Sequence, residues 1–337
     1  MNTNTFRILS QSTLLASSIA LLSACGGGGS SSDPAPSNQG SASFAVTDAP
    51  VDDVRQVQVT FYRIAIKPAD GEPINFDLDT PVTIENLLAL TGGDSEEVLP
   101  QSNVPAGEYE WVRLYITGGH PDSFVEENNG SQLDLFIPGQ QNGNGNNERW
   151  LHLNSGFTIA AGGQSNFTID FVLRKALTKP ANQSHYLLRP SLRLLNNIDV
   201  GTIAGTVDDA LINDPSCSND PVNETGSSVY LYNDDVLPED IFEPEGEASD
   251  EFAAQRPVTS TEVKQNLDTG AWEYTLGFVA EGDYTVAFTC QSSDDLISSD
   301  DDISFVQPTA VSVQAGQESN VDFSATSTGP EQETTPQ

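Results

Sequence analysis

Histidine, cysteine and clustered acid are the residue types from which a reactive site could be built here. Each is scarce or scattered. The histidines are His120, His152 and His185. His120 lies in a Gly-Pro turn, His152 alternates with Leu151 and Leu153, and His185 opens a strand. No two have the spacing of a metal pair, so a structural role is expected for each. There is no Gly-x-Ser-x-Gly elbow, no His-Glu-x-x-His and no Walker loop. Two acidic stretches could offer calcium the oxygen ligands it takes. One holds Asp294, Asp295, Asp300, Asp301 and Asp302; the other holds Asp234, Asp235, Glu239 and Asp240. Neither has the Asp-x-Asp-x-Asp-Gly spacing, and solvated charge is the plainer expectation. Trp111, Tyr115 and Trp150 are expected as exposed aromatics that could line a sugar platform. No catalytic residues emerge. The expectation is a protein that is not an enzyme and holds no cofactor, with calcium the one candidate.

The cysteines carry more. Met1 to Leu22 has one cation, Arg7, then the apolar run LLASSIALL, the layout of a secretory signal. At Ile8–Leu22 it is too short and Ser-rich for a spanning helix of about 20 residues. Leu22-Ser23-Ala24-Cys25 resembles the lipobox of bacterial lipoproteins. That resemblance implies a signal peptide over 1–24, cleavage before Cys25 and a diacylglycerol on its sulfur. Gly26 implies sorting to the outer membrane, with the periplasmic or cell-surface side left open. The Gly/Ser/Pro-rich segment 25–40 reads as a flexible tether with a mean span of about 20 Å. With Cys25 acylated, Cys217 and Cys290 remain. In an oxidising compartment they are expected to form a disulfide; two buried thiols are the alternative.

The 337 residues carry a net charge of −36, which excludes nucleic acid and anionic lipid surfaces as partners. After residue 200 only Arg256 and Lys264 are basic, and this step suggests a domain boundary. Over 41–197 the apolar period is two. Val57, Val59 and Phe61 share one phase while Ile64 and Ile66 take the other, which predicts a β-bulge near Tyr62-Arg63. Segments 108–116, 131–137, 164–174 and 185–195 alternate likewise, with Gly, Pro and Asn turns between them. Residues 83–90, TIENLLAL, could form a short helix. Asp48, before Ala49-Pro50, is expected to make an Asx-turn. Asp170 is expected to face solvent or to pair with Arg113 or Arg189.

The stretches VTDAPVDDVRQVQVTFYRIAI, VPAGEYEWVRLYI, FTIDFVL and YLLRPSLRLL resemble the bacterial family called domain of unknown function 4382. The resemblance covers nearly all of 41–197. It implies a secreted or lipid-anchored β-domain and carries no activity. Over 201–325, Gly201-x-Ile203-x-Gly205-x-Val207 and the turn-strand Ala280–Val286 resemble the carboxypeptidase regulatory-like, or prealbumin-like, sandwich. Residues 308–325 read as a closing hairpin there, and 326–337 as a disordered tail. The expected fold is all-β: two tandem antiparallel β-sandwich domains after a lipoprotein signal peptide and tether. The expected role is non-enzymatic binding or structure in the outer membrane, lipid-anchored, toward an unknown envelope protein or glycan. A calcium-dependent adhesin and an accessory carbohydrate-active enzyme are the alternatives.

Overall fold

The computed structural model describes residues 38–49, 51, 54–140, 148–244 and 250–325. The signal peptide, Cys25, the tether and the tail lie outside the described residues. Among the described residues no helix is long and apolar enough to cross a membrane.

The chain is all-β. Its first half contributes β1 (Gln39–Ala49), β2 (Val54–Pro68), β3 (Ile74–Ile84), β4 (Glu96–Pro105), β5 (Gly107–Ile116), β6 (Phe124–Glu127) and β7 (Gln132–Phe136). Then come β8 (Leu151–Leu153), β9 (Phe157–Ile159), β10 (Gln164–Val172), β11 (Leu177–Thr178), β12 (His185–Leu188) and β13 (Leu192–Asn196). One sheet has the order β13-β10-β1-β4. The facing sheet runs β11-β12-β7-β6-β2-β5-β8, with β3 added to β2 and β9 to β5. Alternate residues of both sheets meet in one core that includes Phe44, Phe61, Ile64, Leu114 and Phe171.

The expected bulge lies in β2. Register shifts between Phe61 and Arg63 against both neighbours, β3 and β5. Val57, Val59 and Phe61 before it, and Ile64 and Ile66 after it, are all fully buried. The extra residue lets two apolar runs of opposite phase enter the same core. Of the helix expected over 83–90, only a single 3-10 turn, Leu87–Ala89, forms. Thr83 and Ile84 stay in β3, and the Asn86 carboxamide accepts from Leu88 N–H to start the turn.

The second half contributes β14 (Val200–Val207), β15 (Ser228–Asn233), β16 (Thr259–Glu262), β17 (Lys264–Gln265), β18 (Trp272–Ala280), β19 (Gly282–Thr289), β20 (Val306–Val313) and β21 (Glu318–Asn320). Two sheets form, β17-β18-β14-β21 and β16-β15-β19-β20. Pairing is mostly antiparallel, but β1–β10, β7–β12 and β14–β21 run parallel. The expected closing hairpin is therefore corrected: β20 pairs with β19, while β21 crosses to the opposite sheet beside β14. Glycine permits that crossing, since a Cβ at Gly205 would sit 1.9 Å from the Val321 carbonyl oxygen.

Polar groups join the two halves. Arg174, buried beyond the end of β10, donates to the Ser292 carbonyl at 2.9 Å, and its guanidinium lies 5.9 Å from the Tyr230 ring centre. Gly277 packs so closely on Gly93 that a Cβ would come within 2.3 Å of its nitrogen. Cys217 and Cys290 form the expected disulfide across a sequence separation of 73. A loop of that length is worth about 4 kcal/mol in the chain-entropy picture. Thermal melting with and without reductant should therefore show a fall of several degrees, and Cys217→Ser with Cys290→Ser should reproduce it; an unchanged midpoint would contradict this.

Candidate functional site

The outer face of the larger sheet carries a continuous strip of aromatic and cationic side chains. Strand β5 turns Val112, Leu114 and Ile116 into the core, so Trp111 and Arg113 project outward by alternation. The bulge in β2 places both Tyr62 and Arg63 outside the core, where strict alternation would expose only one. Trp150 comes just before β8 and His152 from within it; β8 pairs with β5 so that His152 lies opposite Arg113.

The contacts interlock. The Arg113 guanidinium lies 3.9 Å from the Trp111 ring centre and 4.5 Å from that of Trp150. It is held between the two indoles by cation–π attraction and stacking. Its Nε donates to His152 Nδ1 at 3.0 Å. His152 must then carry its proton on Nε2, which donates to Asn154 Oδ1 at 2.6 Å. Beyond Trp150, Tyr115 contacts both Trp150 and Tyr62, and Arg63 lies over both tyrosines. Arg63 pairs with Asp77 and Glu148. Burial, and then the Glu148 carboxylate, push the Tyr62 phenol up to about 12, so it remains a neutral donor to Glu148.

Trp111 and Trp150 are partly exposed, as expected of a platform. Tyr115 is not; it is 5% exposed because Trp150, Tyr62 and Arg63 cover it. Arg113 had been expected only as a partner of Asp170. Asp170 is buried instead and pairs with Arg193, its direct cross-strand neighbour. The central place of Arg113 was readable in one respect, because Trp111, Arg113 and Tyr115 share a phase. The arrival of Trp150 and His152 depends on the β5–β8 register, which no local pattern encodes.

Of the acidic loop residues, the fold brings Asp295 and Asp301 together with Asp240, with carboxylate oxygens within 4.8 Å of one another. Asp294, Asp300, Asp302, Asp234, Asp235 and Glu239 are not part of that cluster. The three carboxylates are engaged by donors. Asp240 takes Arg256 and the Asp301 N–H. Asp295 takes the Tyr230 hydroxyl and the Ile241 N–H, and Asp301 takes the Leu296 N–H and Ser299 hydroxyl. The cluster ties the stretch at Asp240 to the one at Asp295–Asp301, and any cation would have to share these oxygens. His120 stacks on Phe124 and binds Asp134, and His185 packs on Phe136. The three histidines do not converge. Asp48 is buried at the end of β1, and Pro50 of its expected turn lies outside the described residues.

A cleft of about 1330 Å³ lies where the two sandwiches meet, lined in part by Arg174, Lys179, Arg189, Glu127, Glu243 and Asp295. Its carboxylates are tied to separate partners: Glu127 to Lys179, Glu243 to Lys175, and Asp295 as above. They do not converge on a shared point as a hydrolytic pair would.

Residues 39–190 match the family described as a domain of unknown function, DUF4382. No curated protein matches the chain. Among solved structures, the Bacillus anthracis TIE protein is similar at 11% identity and a TM-score of 0.18, over 85% of this chain and 33% of that one. The chain thus spans about a third of that protein's length. GBS52, the minor pilin of Streptococcus agalactiae, is similar at 10% identity and a TM-score of 0.18, over 86% of this chain and 99% of that one. A fimbrial protein from Bacteroides ovatus is similar at 9% identity and a TM-score of 0.19, over 85% and 49%. Scores this low carry neither fold nor role from those proteins to this one.

Burial raises the Asp295 carboxyl above its usual range, against the pull of Tyr230 and Ile241. Its proton is therefore held more tightly in the folded chain than in the unfolded one. Ionised Asp295 lowers stability above the unfolded carboxylate range of about 3.9, and that cost fades as pH falls through the folded value. Asp295→Asn, which keeps the shape and removes the ionisation cost, should therefore melt at or above the parent at neutral pH and lose that advantage as pH falls. Asp295→Ala, which strands Tyr230 and the Ile241 N–H, should lose about 2 kcal/mol. Melting curves from pH 4 to 8 check both.

Proposed function

We propose that this chain is a lipid-anchored envelope protein that binds a partner, without catalysis, through the strip centred on Arg113. One observation carries the reading: Trp111, Arg113, Trp150 and Tyr62 form a rigid, partly exposed surface on an outer sheet face. Such residues do little for the core, which lies on the other face of the same strands. Tryptophan, tyrosine and arginine are the side chains that most often dominate binding energy at interfaces. The Cys25 signal supports presentation from a membrane, with the tether giving the folded part reach. The preferred partner class is a glycan of the envelope or of a surface that the cell meets.

A panel of immobilised neutral and acidic oligosaccharides, probed with the full-length chain, tests the binding surface. Trp111→Ala and Trp150→Ala should each weaken retention by about tenfold or more while leaving the melting midpoint within a few degrees. Retention unchanged in both variants would overturn the strip as the binding surface. Cys25→Ala should move the protein from the membrane fraction to the soluble one; continued membrane binding without acyl label would overturn the anchor.

A further inference from the structure

We infer that the strip recognises a carboxylate-bearing sugar, with Arg113 as the group that contacts the acid. This rests on the strip being the binding surface and adds the chemistry of what it binds.

The argument starts from charge pairing. In a chain of 49 acidic and 13 basic residues, a cation has no shortage of carboxylate partners. Arg55, Arg63, Lys67, Lys175, Lys179, Arg193, Arg256 and Lys264 each have one. Arg113 has none among the described residues. Its guanidinium is stacked between two indoles, and its single hydrogen bond runs from Nε to a neutral imidazole nitrogen. The two terminal nitrogens therefore keep their donors, in the planar fork that matches a carboxylate. Arg149, next to Trp150, and Arg189, at the cleft between the sandwiches, also have no carboxylate partner among the described residues, but both are exposed and neither is stacked between rings.

The same stacking argues against a neutral sugar as the preferred ligand. A pyranose docks on an open ring face, and Arg113 already covers one face of each indole. The strip presents a fixed positive fork framed by apolar ring edges. Exposed Glu148 and Asn154 lie at either end to accept hydroxyl donors. A uronic-type sugar supplies all three complements: a carboxylate, ring C–H surface and hydroxyls. An acidic peptide supplies the carboxylate on a flexible stem and lacks the flat ring. Charge repulsion from the rest of the protein opposes long polyanions, so a short acidic oligosaccharide is the fitting probe.

The experiment titrates the full-length chain with a short oligogalacturonate and with its methyl ester, following tryptophan fluorescence and calorimetry. Two of the three tryptophans lie in the strip, while Trp272 is buried in the second sandwich. The acid form should bind and the ester should bind about 10- to 100-fold more weakly, the range for a lost charge-assisted pair. Arg113→Gln should erase that preference, and Arg113→Lys, which keeps charge but loses the fork, should fall between. Equal binding of acid and ester, lost in Trp150→Ala, would overturn the carboxylate assignment and leave the strip as a neutral glycan site. Equal competition by a short polyglutamate would overturn the sugar and assign an acidic peptide. Absence of binding to any probe, with Trp150→Ala unchanged on the wider panel, would overturn the strip itself. The acid–ester comparison needs no variant, so a poorly folding Arg113→Gln would not obscure the answer.

Discussion

Strand β2 must bury two apolar runs of opposite phase in a single core, and the outer face of the first sandwich depends on how it does so. Val57, Val59 and Phe61 point inward on one phase, and Ile64 and Ile66 on the other. A regular strand would expose one run, at about 1.5–3 kcal/mol for each large side chain left in water. The bulge at Tyr62 removes that conflict by adding one residue to the strand. Its consequence is that two successive residues, Tyr62 and Arg63, stand outside the core. There they meet Tyr115 from β5, and the aromatic strip extends from that contact toward Trp150 and Trp111. The packing of the core thus places one end of the surface to which we assign binding.

A second constraint ties the sandwiches together. Removing the Arg174 charge from water costs several kcal/mol, and such a cost is tolerated only with good partners. The Ser292 carbonyl, the Ser228 hydroxyl and the Tyr230 ring, all from the second sandwich, provide them. Asp295 beside them is linked electrostatically to the same guanidinium. The Asp240–Asp295–Asp301 cluster belongs to this joint region, and its donors explain why three acids are stable so close together. Backbone N–H groups, a buried phenol and Arg256 neutralise what would otherwise be strong repulsion.

What was legible in the sequence follows from which signals are local. Alternation identifies strands, and a break in alternation located the bulge. Redox chemistry and the cysteine count identified Cys217 with Cys290. Sheet assignment was not legible for the last strands. A segment of the form strand, Gly turn, strand satisfies a hairpin and a crossing between sheets equally well, and the backbone approach at Gly205 that decides it is non-local. The partner of Asp170 was missed for a related reason. Arg193 becomes its neighbour only through the β10–β13 register, and both line a small space shared with residues of the other sandwich. Trp111 and Trp150 could be singled out as a platform from residue type alone. The sandwiching of Arg113 between them could not, since it needs β8 to pair in one register with β5.

Strong acidity and a cationic binding centre are compatible because they act at different ranges. The net charge of −36 sets the field at a distance, and salt screens it over roughly 8–10 Å. Arg113 acts at contact distance, where two indoles shield it from competing carboxylates of its own chain. Had a neighbouring glutamate been within reach, as Glu148 is of Arg63, the guanidinium would have been neutralised internally. His152 takes the position opposite Arg113 in the β5–β8 ladder, and as a neutral acceptor it fixes the guanidinium plane without cancelling its charge. An acceptor that orients and does not neutralise is what a surface intended for an external anion requires.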